Sequence, residues 1–148
     1  MIRFLTLLCL ICVLTLKSNA QSLEGLKLSE SEVPEGYKST DSKNCVSIQS
    51  CIFYDRPDMY ESTIGKVKSK QVQNFTSRKD KGSIMYFEFE EEFKSEAFLG
   101  GLLWGGAKPS TAHPEEFHSS GKFLVIWSCK KESSVKKVSQ AKVKAMLK

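Results

Sequence analysis

The stretch GSIMYFEFE, residues 82–90, alternates residue by residue between two sets of large side chains. One set is Ile84 and Tyr86, and the other is Met85, Phe87 and Phe89. This alternation predicts a β-strand, because successive side chains of a strand point to opposite faces of a sheet. The β-tolerant segment 66–76 and the charged turn 77–82 precede it, so we expect an antiparallel hairpin over residues 66–90.

A second stretch, KFLVIWS at residues 122–128, is almost continuously apolar. Such a run predicts an interior strand that is covered on both faces of the sheet. We therefore predict a single-domain α+β fold, in which an antiparallel β-sheet is packed by one or two helices. The helix over 92–104 should cover one face, and a C-terminal helix over 135–147 should cover at least part of the other.

The remaining segments are less regular. The acidic residues 90–92 favour a helix start, because carboxylates are stabilised at the positive end of the helix dipole, and apolar residues then recur at helical spacing as far as Trp104. The apolar residues of 46–54 fit a helix about as well as a strand, and the β-branched content of the segment favours a strand. The segment 105–120, rich in Gly, Pro, Ser and His, is predicted to be a long loop of the kind that often carries function.

The N-terminus has the three parts of a secretory signal peptide. Arg3 is followed by the uncharged apolar run 4–16, and small residues lead up to Ala20. The apolar run is shorter than the ~20 residues that a membrane-spanning helix needs. We predict that a signal peptide, residues 1–20, is cleaved between Ala20 and Gln21 and that the protein is secreted or periplasmic.

The exported chain is then predicted to comprise an α+β domain, residues 21–132, and a Lys-rich C-terminal helix or tail, residues 133–148. Residues 130–148 carry seven Lys and one Glu, whereas residues 21–129 have a net charge of −3. This asymmetry is compatible with weak contact between the tail and an anionic surface. The tail has neither Arg nor aromatic residues, so we expect no specific binding of nucleic acid. A thin apolar stripe, Val138, Ala141 and Ala145 with Met146 as a further candidate, is expected to dock the helix on the sheet.

Cleavage would leave Cys45, Cys51 and Cys129, an odd number for an oxidising compartment. We expect Cys45 and Cys51 to form a disulfide. Six positions apart on one helix they could not meet, but on opposite sides of a turn they could. Cys129, at the end of an apolar strand, could instead pair with either one or remain a buried thiol.

The most concentrated polar cluster surrounds the two histidines. His113, Glu116 and His118 are candidate metal ligands, because imidazole and carboxylate groups bind zinc and related ions. Their spacing departs from the register that places two His on one helix face. The alternative is an ordinary helix start at Pro114. Trp104, in a glycine-rich setting, could line a ligand pocket beside this cluster or simply end a packed helix.

As function, we expect a small binding or interaction module with no catalysis of its own and no cofactor. Its partner would be an unknown small ligand or protein. Its candidate ligand-binding residues are Trp104, His113, Glu116 and His118. One alternative is a metal-dependent hydrolase built on the cluster at 113–118, which would need a metal ion. Another is an envelope-surface protein attached by its basic tail.

Overall fold

The structure is a computed structural model that describes residues 21–148. The predicted signal peptide, including the Ala20 side of the cleavage site, lies outside the described residues. Within residues 21–148, no helix is long and apolar enough to cross a membrane.

Five strands form one antiparallel sheet, in the order β1-β2-β3-β5-β4. The strands are β1 (Lys38–Thr40), β2 (Val67–Thr76), β3 (Lys81–Phe89), β4 (Glu116–Ser120) and β5 (Phe123–Ser128). The helices are α1 (Leu23–Leu26), α2 (Ile48–Asp55), α3 (Glu61–Ile64), α4 (Glu96–Trp104) and α5 (Ser134–Met146), with short 3₁₀ helices at Glu30–Glu32 and Pro57–Tyr60. The predicted α+β class, with its antiparallel sheet, is therefore confirmed.

The alternation in β3 and β5 separates two cores, one on each face of the sheet. Ile84, Tyr86, Val125 and Trp127 face α1 and α5, and all four side chains are buried. On the other face, α2, α3 and α4 cover a core that includes Met85, Phe87, Phe89, Leu124 and Ile126. The prediction that the 92–104 helix and the C-terminal helix lie on opposite faces is thus confirmed.

Two segment predictions are wrong. Residues 48–55 form helix α2 rather than a strand. This helix buries Phe53 but leaves Ile48 69% exposed, so the positions of its apolar residues do not indicate which face of the helix is buried. Helix α4 begins at Glu96 rather than near Glu90, because β3 extends to Phe89 and the chain then crosses the sheet end as a loop.

The predicted loop 105–120 is also partly ordered as sheet. Residues 116–120 form the edge strand β4, which pairs with β5, so the irregular segment is 105–115. A helix start at Pro114 is therefore excluded. At the C-terminus, the Ser133 side chain caps α5 by accepting a hydrogen bond from the Lys136 backbone N–H. Its buried side, however, is Val135, Ser139 and Val143 rather than the predicted stripe.

Candidate functional site

A cleft of about 700 Å³ opens between the 105–115 loop and the turn that leads from β5 to α5. It combines flat apolar rings, hydroxyl groups and ammonium groups. The lining residues are Pro109, Ser110, Thr111, Pro114, Glu116, Lys130 and Lys131.

Trp104 anchors the loop that forms one wall of the cleft. Helix α4 ends there because Gly105 adopts a left-handed conformation, with φ of 67°. The indole ring stacks on Phe117 of β4 with 5.4 Å between ring centroids, and its Nε1 donates to the Glu115 carbonyl at 2.8 Å. Trp104 therefore fixes both ends of the loop, and it is not among the residues that line the cleft.

Glu116 forms the acidic part of the cleft wall. Its Oε2 accepts a hydrogen bond from Lys136 Nζ at 2.6 Å and another from Gln140 Nε2 at 3.1 Å. Burial alone would raise the pKa of Glu116. The hydrogen bond and charge of Lys136 outweigh it, so that its pKa lies below the ordinary value. The carboxylate is thus ionised and already paired, which leaves Lys130 and Lys131 as the unbalanced charges of the cleft.

The two histidines lie apart from this arrangement. His113 is in the loop, where its backbone N–H donates to Ser110 Oγ. Its Nδ1 is buried and has no hydrogen-bond partner among residues 21–148. His118 lies on the face of β4 that meets α5, with Nε2 3.3 Å from the Leu147 carbonyl oxygen.

The candidate metal ligands His113, Glu116 and His118 are consequently not brought together. Within residues 21–148, no group of three or more His, Cys, Asp or Glu side chains is placed to hold a metal ion. Glu116 and His118 instead contact α5 and the residue that follows it.

Glu115, which sequence reasoning did not single out, is the best-buried acid of the region. The side chain is fully buried on the α2 side of the sheet. Its Oε1 accepts hydrogen bonds from Ser47 and, at 3.3 Å, from Ser50, while Oε2 has no partner among the described residues. An extended backbone at Glu115 and Glu116 would have predicted that their side chains point to opposite faces of the sheet. The sequence instead favoured a helix start at Pro114, which does not predict this difference.

The Ser47–Ser50 segment is held by a disulfide between Cys45 and Cys51, whose Cα atoms are 5.8 Å apart. Cys45 precedes α2 and Cys51 lies within it, so the two cysteines are not both helical. Cys129 is a free, buried thiol. Burial raises its pKa to about 12, so it is inert as a nucleophile at neutral pH.

Asn74 belongs to a sequence that fits the N-glycosylation pattern, Asn74-Phe75-Thr76. The side chain is only 6% exposed, and its Oδ1 accepts a hydrogen bond from Ser83 Oγ at 2.7 Å. The folded domain therefore has no room for a glycan at this position.

The chain matches no protein-family model, no curated protein and no solved structure. Its function is therefore inferred from the chemistry of the cleft and of the surrounding surface.

Proposed function

We propose that the protein is a secreted or periplasmic binding module with no catalysis of its own, and that its ligand occupies the cleft between the 105–115 loop and Lys130–Lys131. The observation that carries the proposal is the size and lining of this cleft. Its volume of about 700 Å³ falls in the range of small-ligand sites, roughly 300–1,000 Å³.

The walls of the cleft are supported from both cores of the domain. The Trp104 stack on Phe117 holds the loop, and the Lys136–Glu116 pair ties β4 to α5. Support of this kind favours binding, because a wall that is already ordered loses little conformational entropy when a ligand arrives.

The lining also indicates what the ligand should contain. Pro109 and Pro114 offer apolar contact, and Ser110 and Thr111 offer hydroxyl groups. Because the Glu116 charge is balanced by Lys136, the ammonium groups of Lys130 and Lys131 favour an anionic or strongly hydrogen-bonding group.

The test is a fragment screen on ¹⁵N-labelled residues 21–148, in which perturbed amide signals locate each bound fragment. We expect the binding fragments to perturb amides of 109–116 and 130–131, and to include carboxylates or phosphates. In Lys130→Gln/Lys131→Gln the anionic fragments should bind at least fivefold more weakly.

Lys66→Gln/Lys94→Gln is the matched control. It makes the same change in net charge at two mostly exposed lysines outside the cleft. Perturbations that gather elsewhere on the domain, or equal weakening by the control pair, would contradict the assignment of the site.

A further inference from the structure

Helix α5 carries two stripes, of which only one belongs to the core. Val135, Ser139 and Val143 are buried against the sheet, and Ser139 Oγ accepts a hydrogen bond from Trp127 Nε1 at 2.9 Å. The opposite stripe comprises Val138, Ala141 and Ala145, all exposed, with Val138 37% accessible. This stripe, the exposed helical lysines Lys137 and Lys144, and Lys148 just beyond the helix end are here termed the outer face of α5.

The lysines of α5 divide in the same way. Lys136 and Lys142 point back into the domain, where they pair with Glu116 at 2.6 Å and Glu32 at 2.8 Å. On the outer face, Lys144 and Lys148 form no ion pair within residues 21–148, and Lys137 meets Glu132 only at 3.9 Å in an exposed position. The outer face is therefore positively charged and its charges are available.

The chain also enters the domain beside this helix. Gln21 Nε2 donates to the Met146 carbonyl at 2.7 Å, in the last turn of α5. Gln21, where the exported chain is predicted to begin, therefore lies beside the C-terminal end of α5.

From the positive charge of this face, which is not balanced within residues 21–148, we propose that the outer face of α5 docks the folded domain on an anionic membrane surface. The ammonium groups of Lys137, Lys144 and Lys148 would meet lipid phosphates, while Val138 and the two alanines lie at headgroup level. The docking surface is separate from the ligand cleft, and the two proposals stand or fall independently.

The experiment is co-sedimentation of residues 21–148 with vesicles of phosphatidylglycerol and phosphatidylcholine, compared with vesicles of phosphatidylcholine alone. We expect binding to the anionic vesicles only, and weaker binding as salt is raised, because added ions screen the lysine charges. The variant Lys137→Gln/Lys144→Gln/Lys148→Gln should bind roughly a hundredfold more weakly.

The matched control is Lys38→Gln/Lys66→Gln/Lys94→Gln, which removes the same charge from exposed positions outside α5. It should retain most of the binding, and both triple variants should keep the thermal midpoint of the parent because all six side chains are exposed. Equal binding to neutral vesicles, no binding to anionic ones, or equal losses in the two variants would each overturn the proposal.

Discussion

The two helical layers that cover the sheet are built in different ways. The α1–α5 layer packs on an apolar core that includes Val125 and Trp127, and it adds polar contacts such as Trp127 to Ser139 and Lys142 to Glu32. The α2–α4 layer depends on aromatic packing and a disulfide. Both faces of the sheet are therefore apolar, but directional polar contacts supplement the core on the α1–α5 side, whereas aromatic packing and a disulfide dominate the other.

In the α2–α4 layer, Phe53 is the central contact. Its ring meets Phe87 edge to face at 5.2 Å and stacks on Tyr60 at 5.9 Å, and the side chain is fully buried. Contacts of this kind stabilise the fold through the apolar area that they bury and the close fit of the side chains, rather than through directional hydrogen bonds. In the α1–α5 layer, by contrast, the hydrogen bonds and ion pairs set the position of α5 along the sheet.

The largest effect should come from emptying the aromatic layer. Phe53→Ala removes a fully buried ring and leaves a cavity, and we expect it to lower the free energy of unfolding by about 3–5 kcal/mol in urea denaturation. Ile48→Ala, on the exposed side of the same helix, should change stability by no more than about 0.5 kcal/mol. Comparable losses in the two variants would show that α2 is not anchored by Phe53.

The disulfide is the second support of this layer. Cys45→Ala/Cys51→Ala should cost about 2 kcal/mol, because the unfolded chain regains the freedom of a short closed loop. Adding reductant should destabilise the parent by a similar amount and leave the double variant unchanged. A reductant effect that persists in the double variant would show that the bond is not responsible.

A smaller effect is expected from the polar contacts of the α1–α5 layer. Ser139→Ala leaves the buried indole N–H of Trp127 without a partner, which should cost about 1–2 kcal/mol in the same denaturation assay. Ala141→Ser, on the outer face of α5, serves as the control and should be close to neutral. If Ser139→Ala were neutral as well, apolar area rather than the hydrogen bond would position α5.

The smallest effect should be a dependence on pH. Hydrogen bonds from Lys142 and Ser29 hold the pKa of Glu32 at about 2, against 4.5 for an unperturbed glutamate. A lowered pKa in the folded state means that the stabilisation is complete above pH 4.5 and is lost as the pH falls towards 2. Because the pair is partly exposed and screened, we expect about 1 kcal/mol.

The measurement is urea unfolding of the parent and Glu32→Gln between pH 7 and pH 2. The difference in free energy should shrink as the pH falls below 4.5. Glu30→Gln, in the same turn, controls for the removal of one acidic charge. A difference that stayed constant down to pH 2 would mean that the ion pair does not stabilise the fold.

The sequence predicted the parts of this fold in which periodicity and burial agree. Every apolar residue of β3 and β5 is buried except Phe123, which is half-buried, so alternation identified β3 and a continuous apolar run identified β5. Helix α2 was mispredicted because its exposed residues Ile48 and Ile52 are as apolar as its buried ones, so that local β propensity outweighed a helix that is stabilised by tertiary packing.

The candidate site was predictable in position but not in composition. Low regularity marked the 105–115 loop, yet the cleft also needs Lys130 and Lys131, which lie beyond the next two strands. The predicted ligand residues Trp104 and His118 proved to contact Phe117 and the end of α5 instead. Such contacts between distant segments leave no periodic signal in the sequence.

The arrangement of the three cysteines in residues 21–148 has a kinetic consequence for oxidative folding. Cys45 and Cys51 are six residues apart, whereas Cys129 lies about 80 residues from either. Loop-closure statistics make the short encounter about fiftyfold more probable in an unfolded chain. The native pair can therefore form before the sheet exists. Once Cys129 is enclosed against Ser83 and Gly82, it is no longer accessible for thiol exchange with the Cys45–Cys51 pair.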